Sequence, residues 1–325
     1  MIFKKFTDLV RSKVSLTPQS YATTSIEQYS THNLHRVGVN SLDQICILID
    51  TLPDAKGYKT HRSYKNVEIH FSKECTVINE DGFKENKVFT VLILLSHNQR
   101  FIEYFSSICD SLLFNLGDHR NEKRVFQEIM NILEIFDYSS NVRNRSEQGL
   151  FAEMLFLSIC EDLDYAVQAW HAEKNSLVDF TTNRVVLEVK STMSSHRKHT
   201  ISQKQLVYLN DNSGLLISII LQESDLGTSV IDLAESLKSK SKNSLLHRKI
   251  DKFLVSSIFS TEDTENIRKY DLASALRSMR LFHSSKIEPI EKKSIPSHIE
   301  NIDYTINIEN IESRNIEVFN FSNSE

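Results

Sequence analysis

A group of charged residues in the middle of the chain has the types and spacing needed for metal-dependent hydrolysis. Asp179 and Glu188 lie in two apolar segments on either side of a polar turn at 181–184, so the segments can fold back as a hairpin. Glu188 and Lys190 are two positions apart, and a strand points such side chains to one face. Because unpaired buried charge is costly, these residues need a partner, a metal ion or water.

These residues predict a Mg²⁺ site, with Mn²⁺ as the alternative cation. Hard divalent cations prefer carboxylate oxygens, which Asp179 and Glu188 supply. Lys190 could orient or help to deprotonate the attacking water while the metal stabilises charge on a phosphate. Glu153, an isolated acid in an apolar segment, could complete the metal shell directly or through water. The acidic-x-Lys spacing occurs four times in the chain, so a cross-strand ion pair stays open as the alternative.

The elements around these residues predict an α/β sheet covered by helices. Residues 147–160 are apolar nearly all round and long enough for a buried helix. The strands and helices predicted after it are strands over 164–170, 177–180, 185–190 and 215–222 and helices over about 202–210, 229–240 and 244–258. Trp170 would then end a strand.

The first 138 residues predict a separate α+β domain. Strands are expected at 44–49, 67–71 and 88–95, and an amphipathic helix over 125–136. The polar stretch 137–146 indicates a boundary. We therefore expect three domains: an N-terminal α+β domain (1–138), a core (139–228), and a C-terminal extension of helices and strands packing on the core (229–325). From residue 286 onward, that extension is an acidic tail with four basic and eight acidic residues.

Composition excludes several classes of function. The seven glycines are scattered, so neither GxGxxG nor GxxxxGK[ST] occurs, which argues against Rossmann dehydrogenases and P-loop ATPases. The sequence has neither a secretory signal nor a run of about 20 apolar residues, so we expect a cytoplasmic protein that does not contact membranes. The formal net charge of -5 argues against a generic polyanion binder.

The order Glu153, Asp179, Glu188-Val189-Lys190 and Gln205 resembles the PD-(D/E)XK nuclease superfamily, whose core is a mixed sheet flanked by helices. Over roughly 145–225 the chain is similar to a bacterial subfamily associated with restriction and phage-defence gene clusters. The segments that carry this similarity are GLFAEMLFL (149–157), AWH (169–171), VDF (178–180), LEVKST (187–192) and ISQKQL (201–206). One departure is Val178, which stands where the superfamily's name has proline.

The resemblance implies a restriction-endonuclease-like core at 139–228 and a role for each matching residue. Asp179 and Glu188, with Glu153, would bind the metal, Lys190 would be the catalytic lysine, and Gln205 would support the site. The implied function is a Mg²⁺-dependent DNA endonuclease of restriction type in bacterial defence. The alternative is a nuclease-fold subunit of a defence complex that binds DNA or protein without cutting, and RNA stays open as a substrate.

Basic residues bracket the proposed site in sequence. Arg143 and Arg145 precede the apolar helix, and Arg197 and Lys198 follow Lys190, so we expect them to contact DNA phosphates. Solvated loop charges are the alternative. Because double-strand cutting commonly needs two active sites, a homodimer is expected, and other defence-system proteins are expected partners.

Overall fold

The structure is a computed structural model that describes residues 2–11, 16–18, 20–26, 35–52, 61–63, 66–138, 146–171, 176–258 and 267–321. It is mixed α/β, as the sequence predicted. The chain divides into unit 1, Met1–Arg143 with Leu254–Asn266, and unit 2, Asn144–Phe253 with Ile267–Glu325. The predicted domains 1–138, 139–228 and 229–325 stay a prediction. Within the described ranges no helix is both long and apolar enough to span a bilayer.

Unit 1 is built on a six-stranded sheet in the order β1-β2-β3-β6-β5-β4. Its helices and strands are α1 (Ile2–Arg11), β1 (Ser20–Ser25), β2 (His35–Val39), β3 (Ile45–Asp50), β4 (His61–Ser63), β5 (Val67–Ile78), β6 (Lys84–Leu94), α2 (Gln99–Leu116) and α3 (Glu122–Tyr138). β1 also pairs in parallel with the second half of β5, so the sheet closes on itself and leaves β4 as an edge strand. The predicted strands and helix of this region are confirmed.

The sequence of β3 shows why this sheet is buried on both faces. Side chains alternate between the faces of a strand, and β3 is apolar at successive positions. Ile45, Ile47 and Ile49 join an apolar cluster with residues of α1, α2 and α3. Cys46 and Leu48 join a second cluster with residues of β1, β5 and β6. The core of unit 1 therefore lies on both sides of β3.

Unit 2 contains a five-stranded mixed sheet in the order β15-β13-β10-β8-β7, in which only the β8–β10 pair is parallel. Its helices and strands are α4 (Glu147–Ser158), α5 (Leu163–Ala169), β7 (Phe180–Thr181), β8 (Val186–Thr192), β9 (Lys198–Ser202), α6 (Gln203–Asp211), β10 (Leu215–Ile220), β11 (Glu223–Ser229), α7 (Val230–Ser239), α8 (Ser244–Ile258), β12 (Lys269–Tyr270), α9 (Leu272–Ser278), β13 (Arg280–His283), β14 (Asp303–Asn307) and β15 (Arg314–Asn315). β9–β14 and β11–β12 form two small separate sheets. α8 continues past Phe253, where unit 2 gives way to unit 1.

The helix predicted at 147–160 is confirmed as α4, which packs against β8 and α7 and is buried around most of its circumference. Ser146 caps it by accepting a hydrogen bond from the backbone N–H of Gly149. Because the helix is enclosed on several sides, even its charged residues, Glu147 and Glu153, are buried. The predicted strand at 185–190 is confirmed as β8, and the helix at 202–210 as α6.

One predicted strand is wrong, and another is shorter than expected. Residues 164–170 form helix α5 rather than a strand, so Trp170 follows a helix. Asp162 caps α5 by accepting from the N–H of Tyr165, and a short apolar segment fits helix and strand equally well without that cue. The strand predicted at 177–180 overlaps the two-residue strand β7 (Phe180–Thr181) at Phe180 alone.

Candidate active site

The hairpin formed by β7 and β8 brings Asp179 beside the Glu188-Val189-Lys190 segment. Phe180 pairs with Leu187 in antiparallel register. The Oδ2 atom of Asp179 accepts a hydrogen bond of 2.8 Å from the N–H of Val189, which fixes the carboxylate against β8. On β8, the Nζ of Lys190 lies 2.7 Å from Oε1 of Glu188. The structure therefore brings together Asp179, Glu188 and Lys190.

Glu153 reaches this group from α4. Its Oε2 atom accepts a 2.7 Å hydrogen bond from Nε1–H of Trp170 and lies 2.9 Å from Nε2 of His171. The same Nε2 atom is 3.5 Å from Oδ1 of Asp179, so His171 bridges the two carboxylates. His171 has a φ of 42°, a left-handed conformation that is uncommon outside glycine. Its N–H donates to the backbone carbonyl of Asp179 over 2.6 Å.

His171 is the site residue that the sequence analysis did not single out. Ligand atoms of Glu153, His171 and Asp179 all lie within 4.8 Å of one another, whereas Glu188 is outside this group. The sequence signal that includes His171 is the AWH segment (169–171), one of the segments that resemble the PD-(D/E)XK subfamily. That resemblance did not assign a role to the histidine. Its position depends on the turn after α5, which a strand over 164–170 would not have formed.

Gln205 is held at the site by the way α6 begins. Ser202 and Gln205 form a capping box, in which the Ser202 side chain accepts from the Gln205 N–H and the Gln205 Oε1 accepts from the Ser202 N–H. The Nε2–H₂ group of Gln205 then donates to Oε1 of Glu188 and to the carbonyl of Leu177, each over 3.0 Å. The segment ISQKQL thus contains both the helix start and the group that contacts Glu188.

Burial and mutual repulsion make the carboxyl groups resist ionisation. Burial raises the pKa of Asp179 well above its usual range, and the negative charges of Glu153 and Glu188 raise it further. Burial also raises the pKa of Glu188, although Lys190 opposes that change. Burial alone would lower the pKa of Lys190, but the neighbouring carboxylates, Glu188 first, outweigh it and raise that pKa. Lys190 is therefore held protonated.

The site fits a divalent cation. Among the described residues, three buried carboxyl groups, Glu153, Asp179 and Glu188, lie around one lysine, Lys190. Both donors to Glu188 use its Oε1 atom, and its buried Oε2 atom has no hydrogen-bond partner among the described residues. A buried acceptor without a donor needs an explanation, and a bound ion is one. A hard cation such as Mg²⁺ would neutralise the excess negative charge with oxygen ligands.

The predicted DNA-contacting residues differ in their surroundings. Arg197 is buried, and its guanidinium donates to the carbonyl and hydroxyl oxygens of Ser218 and to the carbonyl of Ser278. These internal partners do not favour a phosphate contact. Lys198 is exposed at the start of β9. Arg143 and Arg145 lie outside the described residues.

A second histidine, His199, is buried on the Lys190 side of the sheet. Ser218 is the β10 partner of Lys190, and its Oγ lies 2.7 Å from Nε2 of His199. Burial, with Lys190 and Arg197 nearby, lowers the pKa of His199 to about 4. A neutral His199 adds no charge beside Lys190.

Comparison with known protein families matches residues 3–309 to the family described as "Putative PD-(D/E)XK family member, (DUF4420)". No curated protein and no solved structure matches the chain. The matched range covers most of both units and includes every site residue named above. The mixed α/β architecture of the described residues is consistent with a PD-(D/E)XK-like fold.

Proposed function

Because the chain belongs to this PD-(D/E)XK family, whose members are of nuclease type, we propose that it is a Mg²⁺-dependent DNA endonuclease of restriction type. Family membership indicates a nucleic-acid substrate and a divalent metal. Our proposal adds three points to what family membership indicates. The substrate is DNA rather than RNA, the metal ion is Mg²⁺ rather than Mn²⁺, and the protein acts in bacterial defence. They rest on the resemblance of residues 145–225 and on the chemistry of the site.

The observation that carries the proposal is that, among the described residues, three buried carboxyl groups lie around one lysine, Lys190. A structural ion pair would balance its charges, because an uncompensated buried charge costs several kcal/mol. Here Glu153, Asp179 and Glu188 outnumber Lys190, and Oε2 of Glu188 has no hydrogen-bond donor in the part of the chain that the structure describes. A site that acquires a divalent cation and a phosphate needs this excess.

Each residue then has a defined part in phosphodiester hydrolysis. Asp179 and Glu188, with Glu153 beside them, would hold the metal ion, which when bound activates water and stabilises charge on the phosphate. Lys190 stays protonated, so we expect Nζ to donate hydrogen bonds that orient the attacking water or the phosphate. Gln205 holds the Glu188 carboxylate through its Nε2 donor.

His171 is proposed to position Glu153 and Asp179. Mg²⁺ and Mn²⁺ prefer oxygen ligands over imidazole, so His171 serves these ions best as a donor to the carboxylates. Its Nε2 lies 2.9 Å from Glu153 and 3.5 Å from Asp179. A His171→Gln variant should then need a higher Mg²⁺ concentration for half-maximal cleavage. Its cleavage rate at saturating Mg²⁺ should change by a smaller factor than that concentration does.

Cleavage of supercoiled plasmid with and without Mg²⁺ tests the proposal. Lys190→Met and Glu188→Gln should each lower the rate by at least about 100-fold, in line with the loss of a positioned proton donor or charged group. Lys293→Met is the matched control. Lys293 and Glu291 have the same Glu-x-Lys spacing and lie 3.0 Å apart, but both are exposed.

The outcomes separate the proposal from its alternatives. Cleavage at the wild-type rate by both Lys190→Met and Glu188→Gln overturns the assignment of the site. Tight DNA binding without cleavage in either Mg²⁺ or Mn²⁺ favours the non-cutting subunit of a defence complex. If a labelled RNA is cut faster than DNA, the substrate is RNA rather than DNA. Phage plating on bacteria that produce wild type or Lys190→Met tests the defence role.

A further inference from the structure

Unit 1 carries a second group of metal-ligating side chains, on its edge strand. His61 of β4 is paired directly with His70 of β5, and Glu68 lies two positions before His70. Opposite residues and residues two apart point to one face of a sheet, so all three side chains project together. Arg62 points to the other face, where its guanidinium lies 5.8 Å from the ring centroid of Phe126.

The side chains converge on one point. The Nε2 atoms of His61 and His70 lie 2.5 and 3.3 Å from the same oxygen, Oε1 of Glu68. The two imidazole rings are 4.8 Å apart between centroids. One ligand atom from each residue lies within 4.8 Å of the other two. The ligand atoms of a tetrahedral zinc site, with bonds of 2.0–2.1 Å, are roughly 3.3 Å apart, so small rotations suffice to form it.

The types of these ligands differ from those of the proposed active site. Two imidazoles and one carboxylate suit zinc and its neighbours in the first transition row, whereas oxygen-only sets suit Mg²⁺. His61 is about half exposed, with 52% of its side-chain surface accessible, whereas 28% of Glu68 and 23% of His70 is accessible. Solvent can therefore supply the remaining ligand positions.

The backbone of β5 departs from regular strand geometry directly after His70. The β5–β6 register shifts between His70 and Lys73, so β5 carries a bulge directly after His70. Ser72 within it has a φ of 48°. Bulges redirect side chains and are over-represented at sheet edges.

We propose that His61, Glu68 and His70 form a binding site for a first-row transition-metal ion of the Zn²⁺ type, which fastens the edge strand β4 to β5. β4 is only three residues long, and β5 is the one strand that pairs with it among the described residues. A metal held by both strands adds a cross-link that does not depend on their few backbone hydrogen bonds. The site shares no residue with the proposed nuclease site, so neither proposal depends on the other.

Zn²⁺ titration of the full chain by calorimetry tests this site. The variants are His61→Gln with His70→Gln, the single variant Asp179→Asn, and His97→Gln, which removes an exposed histidine of unit 1 outside the group. The double variant should lose one equivalent of bound Zn²⁺, or weaken that equivalent by more than the roughly 10- to 100-fold that loss of an outer-shell partner costs. Asp179→Asn and His97→Gln should retain it.

Hydrogen exchange of the β4 amides gives a second readout. Zn²⁺ should slow exchange at 61–63 in wild type and in Asp179→Asn, but not in the double variant. The proposal is overturned if the double variant binds Zn²⁺ with the stoichiometry and affinity of His97→Gln. It is equally overturned if all Zn²⁺ binding disappears in Asp179→Asn. A circular-dichroism spectrum shows whether each variant is folded.

Discussion

The two units of this chain each bury carboxylates, but they balance the charge differently. In unit 1, Asp50 at the end of β3 is 1% exposed. Its Oδ1 atom lies 2.5 Å from Arg120 and its Oδ2 atom 2.6 Å from Lys87. One acid thus has two cations. In unit 2, among the described residues, three buried carboxyl groups lie around one lysine, Lys190.

We interpret this difference as one between a structural ion network in unit 1 and the proposed metal site in unit 2. The chain's own residues complete the Asp50 network, so removing its acid should weaken the fold. In our proposal, protons or a cation from solution balance the charge of the unit 2 group, so removing one of its acids should relieve repulsion. Activity and stability should therefore respond in opposite directions to the same type of substitution in the two units.

The largest effect is expected from Asp179→Asn. The asparagine amide oxygen can still accept a hydrogen bond from the N–H of Val189, but the substitution removes one of the three carboxyl groups of the site. Cleavage should therefore fall by about 10²–10³-fold, as for loss of one electrostatic group at an active site. The free energy of unfolding of unit 2 should stay the same or rise in metal-free buffer. Plasmid cleavage and urea denaturation measure the two quantities, and a large loss of stability would contradict the comparison.

Added Mg²⁺ should stabilise unit 2. Binding to the folded state alone contributes about 2.7 kcal/mol at a concentration of 100 times Kd. Trp170, the only tryptophan, donates to Glu153, so its fluorescence reports on this unit during urea denaturation. The Mg²⁺ effect should vanish in Asp179→Asn. An equal shift in wild type and variant would mean that the ion binds elsewhere.

Asp50→Asn should act in the opposite way. Loss of the carboxylate leaves Lys87 and Arg120 without their counter-ion, but both are about one-third exposed, which limits the cost to about 1–3 kcal/mol of unfolding free energy. Thermal unfolding followed by circular dichroism measures this loss of unfolding free energy. The control is Lys293→Met, which breaks an exposed ion pair and should cost about 0–1 kcal/mol. Cleavage per folded molecule should be unchanged, and a loss comparable to that of Asp179→Asn would place Asp50 in the active machinery.

The smallest effect is a pH dependence of stability without metal. In the folded state, the pKa values of Asp179 and Glu188 are raised above those of the unfolded state. At a pH between the unfolded-state and folded-state pKa of each group, the folded chain therefore binds more protons than the unfolded chain. Stability in EDTA should therefore fall as the pH rises from the ordinary carboxyl pKa, about 4, through the raised pKa of Asp179. The difference between wild type and Asp179→Asn in urea denaturation isolates this effect. A difference that does not change with pH would refute the repulsion.

Local sequence rules predicted the elements whose signals are local. The continuous apolar stretch of α4, the alternation along β8 and the buried run of β3 were confirmed, because side-chain period and apolar content determine such elements. The segment 164–170 was assigned wrongly. It is short, and its apolar residues fit both periods, so the capping residue Asp162 and the packing of α5 decided for a helix.

Site residues divide in the same way. Asp179, Glu188 and Lys190 follow from hairpin geometry, and Gln205 lies at a capping box visible as Ser-x-x-Gln. His171 needed the turn after α5. The partnership of His61 with Glu68 and His70 needed the β4–β5 register.

The sequence by itself determined which charged groups exist and which of them share a face. A strand repeats every two residues, so Glu188 and Lys190 had to lie together wherever β8 was placed. Only the tertiary structure decided that Glu153, from a helix, and His171, from a turn, join them, and that Arg197 is buried on internal partners. It also decided the electrostatics, because desolvation and repulsion depend on packing between segments that are distant in sequence.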